Sequence, residues 1–132
     1  MLHLRGTHTL EMSWCRQAAD SWLSHLSGIH DLRMAGCTGI TDAGMAHLHG
    51  IHMLGMTGCT GITDARMVHL RGIHTLDIDQ CPQLTDATLP LLVGVHTLYM
   101  GACMGITDAG MVHLVGIHEL HMTACTGITR LT

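Results

Sequence analysis

Residues 106–127 read ITDAGMVHLVGIHELHMTACTG, and the rest of the chain consists of copies of this stretch. Moved back along the chain in steps of 22 residues, it matches 62–83 and 40–61 without insertion or deletion. We assign a partial copy to residues 1–17, complete copies to 18–39, 40–61, 62–83, 84–105 and 106–127, and the start of another to 128–132. A repeat of this length predicts one domain in which successive copies stack as a solenoid.

Each copy contains a pattern typical of a short strand. In the last copy, Ile117, Leu120, Met122 and Cys125 follow the spacing LxxLxLxxC, and earlier copies repeat it. Alternation of apolar and polar residues over three or four positions predicts a half-buried strand. Because a single strand of this kind cannot bury its apolar face alone, we expect the strands of successive copies to form one parallel sheet.

The second half of each copy predicts a short helix. Thr107 and Asp108 are typical helix-start residues, since their side-chain oxygens accept hydrogen bonds from the free N–H groups of a first turn. Gly116 ends the segment, which is short enough for 3₁₀ as well as α geometry. In copy 84–105, Pro90 lies about midway along this helix, where its missing N–H is expected to shorten or kink it unless the turn is 3₁₀. We interpret Pro90, and Thr88 in place of Gly, as sequence drift.

The spacing LxxLxLxxC followed by xxITDAGM resembles the cysteine-containing class of leucine-rich repeats. That class occurs in F-box substrate-receptor proteins, and similar arrays occur in large DNA viruses and protists. The resemblance implies an α/β leucine-rich-repeat solenoid over residues 1–132, with a parallel sheet on the concave side and short helices or 3₁₀ turns on the convex side. It also implies a protein-binding scaffold, in some cases the substrate-recognition part of an F-box-type ubiquitin ligase.

The six cysteines occupy one position of the repeat, which indicates a structural column rather than a set of disulfide pairs. We expect buried, reduced thiols that serve backbone groups in the turn after each strand, in an intracellular, cytoplasmic setting, that of a host cell or a virion if the viral resemblance holds. A ladder spaces its thiols along a line, whereas a tetrahedral metal site requires convergent ligands. The column consists of Cys15, Cys37, Cys59, Cys81, Cys103 and Cys125.

Histidine is unusually frequent, and eleven of the 13 histidines form two columns. One interpretation is that each imidazole satisfies a local backbone group and was copied with the repeat. The alternatives are a divalent metal bound between neighbours and a proton switch, because closely spaced imidazoles repel one another when charged. A switch predicts loss of stability below about pH 6, near the reference pKa of histidine. The columns are His8, His30, His52, His74, His96 and His118 before the strands, and His3, His25, His47, His69 and His113 on the helices.

Strand positions that point away from the core vary between copies, so their residues are free of the scaffold role. Because side chains alternate across a strand, these positions share the concave face. Tyr is a typical interface anchor, and the single Tyr of the chain lies beside two carboxylates in the predicted sheet. We predict a partner-binding face whose residues are Asp77, Asp79 and Tyr99, a second polar patch of Glu11, Asp31 and Arg33, and Glu119 with His121.

Composition and motifs exclude several classes of function. The formal net charge is −4 without any basic run, which argues against nucleic-acid binding. No apolar run approaches the roughly 20 residues that span a bilayer. Cys, His and Asp recur in every copy, whereas a nucleophile needs a unique environment. We therefore predict a non-enzymatic protein without catalytic residues, cofactor or metal, that binds a protein partner; the alternatives are a structural component packed against other chains, for example in a viral particle, and a designed repeat scaffold.

The two ends of the array lack the polar caps that solenoids require. The chain starts inside a copy with MLHL and stops at RLT. We expect these ends to be covered by another chain or by further repeats, since bare ends expose apolar core and unpaired strand edges.

Overall fold

Six parallel strands of three residues each form a single sheet in this computed structural model, which describes residues 8–126 and 128. The strands pair strictly in sequence order, and Leu10 lies opposite Leu32 in the first pair as Leu98 lies opposite Leu120 in the last. Each strand therefore pairs with its neighbour through the equivalent residues of adjacent copies. The strands are β1 (Thr9–Glu11), β2 (Asp31–Arg33), β3 (Met53–Gly55), β4 (Thr75–Asp77), β5 (Thr97–Tyr99) and β6 (Glu119–His121).

A short helix connects each strand to the next. The first is an α-helix, α1 (Asp20–Leu23), and the other four are 3₁₀ helices of equal length: Asp42–Leu48, Asp64–Leu70, Asp86–Leu92 and Asp108–Leu114. In each 3₁₀ helix a Thr caps the start, as Thr41 does by accepting a hydrogen bond from the N–H of Ala43. Ala19 takes this position before α1 and makes no side-chain cap.

The core lies between the sheet and the helices and consists of apolar columns. Leu32, Leu54, Leu76 and Leu98 are fully buried, and Met34, Met56, Ile78 and Met100 form a second buried column beside them. Each column lies at one phase of the repeat, so every copy packs its apolar side chains on those at the same phase in its neighbours. This arrangement confirms the predicted α/β leucine-rich-repeat solenoid, including the 3₁₀ alternative for its helices.

Carboxylates at the helix starts bind the next copy. Asp42 accepts hydrogen bonds from both the N–H (2.7 Å) and the hydroxyl (2.6 Å) of Thr63. The same pair of bonds joins Asp20 to Thr41, Asp64 to Thr85 and Asp86 to Thr107. We call this recurring contact the Asp–Thr clamp, and it holds successive helices at a fixed spacing on the side opposite the sheet.

Pro90 follows the 3₁₀ alternative and leaves the length of its helix unchanged. The 3₁₀ helix Asp86–Leu92 contains Pro90 and has the same seven-residue length as its siblings. Because a 3₁₀ helix this short has few internal hydrogen bonds, one missing N–H removes little. Thr88 is also more than drift, since its buried hydroxyl donates to Asp64 of the preceding copy. At Gly110, the same position of the next copy, an added Cβ would lie only 2.4 Å from the Asp86 carboxylate.

Some expectations concern residues outside the described part of the chain. They are the composition of the two ends, which falls on residues 1–7, 127 and 129–132, and the first histidine of the helix column, His3.

Candidate partner-binding face

The parallel register places the predicted partner-binding residues on the concave face, the side of the sheet directed away from the helices. Asp77 lies opposite Tyr99, and Tyr99 lies opposite His121. Their side chains point outward because the Leu between each pair of outward positions points into the core. We call Asp77, Asp79, Tyr99 and His121 the tyrosine patch.

The rings of Tyr99 and His121 stack face to face. Their centroids are 4.3 Å apart and their planes differ by 7°. The two residues stand at one phase of the repeat, which is the signal from which this contact was predictable. The stack holds the tyrosine in a fixed orientation, which lowers the conformational entropy that it loses on binding.

The two aspartates of the tyrosine patch are held by the sheet itself. Asp77 Oδ1 accepts hydrogen bonds from the Thr57 hydroxyl (3.0 Å) and from the N–H of Asp79 (2.9 Å). Asp79 Oδ1 accepts from the N–H of Gly101 on the next strand. The hydrogen bonds to both carboxylates end on Oδ1, and a side-chain hydrogen bond between Asp77 and Asp79 contributes to raising the pKa of Asp79.

Burial raises the pKa of the Asp79 carboxyl, and the Asp77 carboxylate beside it adds to the increase. The hydrogen bond from Gly101 and the charge of His121 act in the opposite direction. The patch thus brings two carboxyl groups close together, and neither forms an ion pair with a residue in the described part of the chain.

The second predicted patch lies on strands β1 and β2. Glu11 and Arg33 are opposite each other in the register, but no ion pair joins them. Hydrogen bonds from the Ser13 side chain and backbone lower the pKa of Glu11, with a smaller contribution from Arg33. Asp31 instead contacts the imidazole of His30 at 2.5 Å. The three residues share a face without forming one connected site.

The remaining predicted residue, Glu119, lies on the last strand and approaches His121, with Oε2 3.6 Å from Nε2. The outward positions are not all equally open, however. Thr97, between Thr75 and Glu119 in the register, is only 6% exposed, and Gly55 is buried beside the Arg33 side chain. The concave face therefore offers two separate polar regions, flanking a shallow centre at Gly55.

The cysteine column serves the backbone as predicted. Every thiol from Cys37 onward donates to the carbonyl of the residue 25 positions earlier, for example Cys59 to Met34 at 3.0 Å and Cys103 to Ile78 at 3.0 Å. All six cysteines are free. Burial raises the pKa of Cys59 and of Cys103 to about 12, which makes these thiols poor nucleophiles.

The strand-side histidines form a continuous stack, which we call the histidine ladder. Neighbouring rings from His8 to His118 have centroids 4.3 to 4.6 Å apart and planes 13° to 24° from parallel. The expected role at local backbone groups is wrong for His74 and His96. Their Nδ1 atoms each lie 2.8 Å from the hydroxyl of the following threonine.

Metal binding by the ladder finds no support in this geometry. Parallel stacked rings direct their nitrogen lone pairs side by side, whereas a metal ion needs them to converge. Among the described residues, no group of three or more His, Cys, Asp or Glu side chains is arranged to hold an ion.

The fold is similar to that of a chain in the crystal structure of the Rad7 and Elc1 complex in yeast. The TM-score is 0.67 at 18% sequence identity, and the match covers 82% of this chain and 34% of that one. This chain thus spans about a third of the length of the yeast chain, and the likeness establishes the leucine-rich-repeat fold alone. No protein-family model and no curated protein matches the sequence. None of the described helices has the length and apolar character needed to cross a membrane.

Proposed function

We propose that this chain is a non-enzymatic scaffold that binds a protein partner on its concave face. The proposal rests on the contrast between core columns that repeat in every copy and outward positions that differ from copy to copy. The tyrosine patch is the strongest candidate contact region, since it combines a stacked aromatic pair with two neighbouring carboxylates. Pre-oriented tyrosines are frequent anchors of protein interfaces.

A more specific form of the proposal is that the chain belongs to the cysteine-containing leucine-rich repeats and recognises the substrate of an F-box-type ubiquitin ligase. The column of thiols bonded to backbone carbonyls supports membership of that class. In this form, residues 1–132 are one repeat domain with the copy boundaries given above, and the free thiols fit an intracellular setting. The polar regions at Glu11, Asp31, Arg33 and Glu119 would extend the contact along the sheet.

A photo-crosslinking amino acid at position 99 tests the concave face. We expect it to capture a protein that the same group at Arg66, exposed on a 3₁₀ helix, does not capture. With the captured protein purified, Tyr99→Ala should weaken the dissociation constant at least about tenfold, as for an aromatic anchor, and Arg66→Ala should leave it unchanged. Equal capture from both positions, or an unchanged constant for Tyr99→Ala, would contradict the proposal.

A further inference from the structure

Trp14 combines two properties that a tryptophan rarely has. Its backbone lies in the left-handed region, with φ of 67°, and its side chain is 69% exposed. The left-handed region is disfavoured for any residue with a Cβ, and at the same turn of the next two copies Gly36 and Gly58 occupy it without strain. Because the indole is exposed, packing in the core does not offset the cost of this backbone conformation.

The turn beneath the indole is shaped to accept it. A Cβ added to Gly36 would lie 2.2 Å from the Trp14 ring, so only glycine allows the indole to lie flat against this turn. Gly36 is buried under the ring, whereas Gly58 one copy further on has no atom within 4 Å of an added Cβ. The indole thus covers the surface at Gly36 and leaves the equivalent surface at Gly58 uncovered.

A groove of about 400 Å³ runs from the indole along the carboxyl ends of the strands. We call it the turn groove. Gly36 and Gly58 form its floor, and its other lining residues are Trp14, Arg16, Thr38, Thr60 and Gln80. It lies along the turns that follow the strands and does not include any residue of the tyrosine patch.

The charged and polar side chains that line the turn groove have no partner among the residues that the structure describes. Arg16 is the one charged residue in the lining, and it makes no ion pair or hydrogen bond with any described residue. The side chains of Thr38, Thr60 and Gln80 also lack hydrogen-bond partners within the described part of the chain. An exposed indole, an unpaired guanidinium and a row of free hydroxyl and amide groups are complementary to a polypeptide with an apolar side chain next to a carboxylate.

We propose that the turn groove docks an acidic peptide segment of a protein partner, with an apolar side chain on Trp14 and an adjacent carboxylate on Arg16. The peptide backbone then meets the hydroxyl and amide groups of the opposite wall. This docking surface is separate from the concave face, and its existence does not depend on the function proposed for that face.

Two synthetic dodecapeptide libraries test the proposal on the full chain. In the first, a fixed Leu is flanked by Asp or Glu; in the matched second, the same Leu is flanked by Lys or Arg. The readout is the pair of indole N–H signals in a proton–nitrogen NMR spectrum, since the chain has two tryptophans. We expect the acidic library to move the Trp14 signal and to leave that of Trp22, which packs against the core, in place.

Two substitutions in the groove and one control outside it extend the test. Trp14→Gly places a glycine at a left-handed position, so the fold should be retained or gain stability while affinity for the acidic library falls at least about tenfold. Arg16→Glu should reverse the preference between the two libraries. Tyr99→Ala, which affects only the concave face, should leave peptide binding unchanged, so the two proposals fail or succeed separately.

Several outcomes would overturn the proposal. They are an unmoved Trp14 signal with both libraries, equal shifts with both, or an acidic preference that persists in Arg16→Glu. A Trp14 signal that moves with protein concentration alone, together with a concentration-dependent sedimentation coefficient, would assign the groove to a second copy of the chain instead.

Discussion

Four residues other than glycine adopt the left-handed backbone at one turn of the repeat. Their φ angles range from 59° to 67°, and the residues are Trp14, Gln80, Ala102 and Ala124. At the same position the remaining two copies carry Gly36 and Gly58. The turn therefore imposes a backbone conformation that residues with a Cβ adopt only at a cost. The sequence does not reveal this conformation, because four different residue types occupy the column.

Replacement of Ala102 by Gly should stabilise the protein. The left-handed conformation costs a residue with a Cβ about 1–2 kcal/mol, and the greater freedom of glycine in the unfolded chain returns about 0.5–1 kcal/mol of that. We expect Ala102→Gly to raise the free energy of unfolding by about 0.5–1 kcal/mol, measured by urea denaturation. The control, Ala109→Gly at an exposed helical position, should lower it by a similar amount. Destabilisation by both variants would show that the turn is not strained.

The buried thiols should be protected from alkylation in a defined order. Because burial raises the pKa of Cys59 and Cys103 to about 12, little thiolate forms at pH 8. We expect iodoacetamide to modify half-exposed Cys15 first and to reach Cys59 and Cys103 only on unfolding, as read by peptide mass spectrometry. A raised folded-state pKa also means that the unfolded chain releases these protons first, so stability should fall as pH rises above about 9. Modification of native Cys59 as fast as Cys15 would refute this burial.

Among the elements, the helices depend on one another through the Asp–Thr clamp. Asp42→Ala removes two charge-assisted hydrogen bonds to Thr63 and should lower the free energy of unfolding by about 1–3 kcal/mol, toward the lower end because Thr63 is exposed. Asp42→Asn keeps one acceptor and should lose less. Glu119→Ala, a carboxylate outside any clamp, should change stability by no more than about 0.5 kcal/mol. Urea midpoints for the three variants give the comparison, and equal losses would remove the clamp as a stabilising contact.

Periodicity predicted the elements well because one phase of the repeat carries one role. The alternation around Leu120 predicts its strand, and the equal spacing of copies predicts the parallel register. The clamp was not predictable in this way. It joins Asp42 to Thr63, which are 21 residues apart, so neither the period nor local helix-start chemistry identifies the pair. The shared face of the site follows from alternation. That Asp77 and Arg33 form no ion pair with a described residue depends on side-chain orientations, which the pattern does not contain.

Across the whole molecule, the histidine ladder links all six strands and should make the array sensitive to acid. Desolvation lowers the pKa of His96, and the neighbouring His118 and His74 lower it further. The folded state therefore favours the neutral imidazole of His96, so the stabilising contribution of this residue is present above the unfolded-state pKa of about 6.5 and is lost as pH falls below it. We expect the melting temperature to fall between pH 7.5 and pH 5.

A triple variant provides the control for this pH dependence. With Asn in place of His52, His74 and His96, the middle of the ladder cannot become charged, so the melting temperature should change less over the same pH range. An unchanged melting temperature for the unsubstituted chain would rule out the proton-switch interpretation of the ladder. A fall of the same size in the triple variant would assign the acid sensitivity to other groups.

Because side-chain bonds between neighbouring copies join residues 20 to 25 positions apart, loss or gain of exactly one copy leaves equivalent partners in place. After removal of residues 62–83, Asp42 would meet Thr85 as it now meets Thr63, and Cys81 would be replaced by Cys103 opposite the carbonyl of Met56. A deletion that is not a whole number of copies would leave one copy incomplete, so the apolar residues of that copy would no longer line up with those of its neighbours. Evolution of such an array by recombination is therefore expected to change its length in steps of whole copies, with each step adding or removing one strand of binding surface.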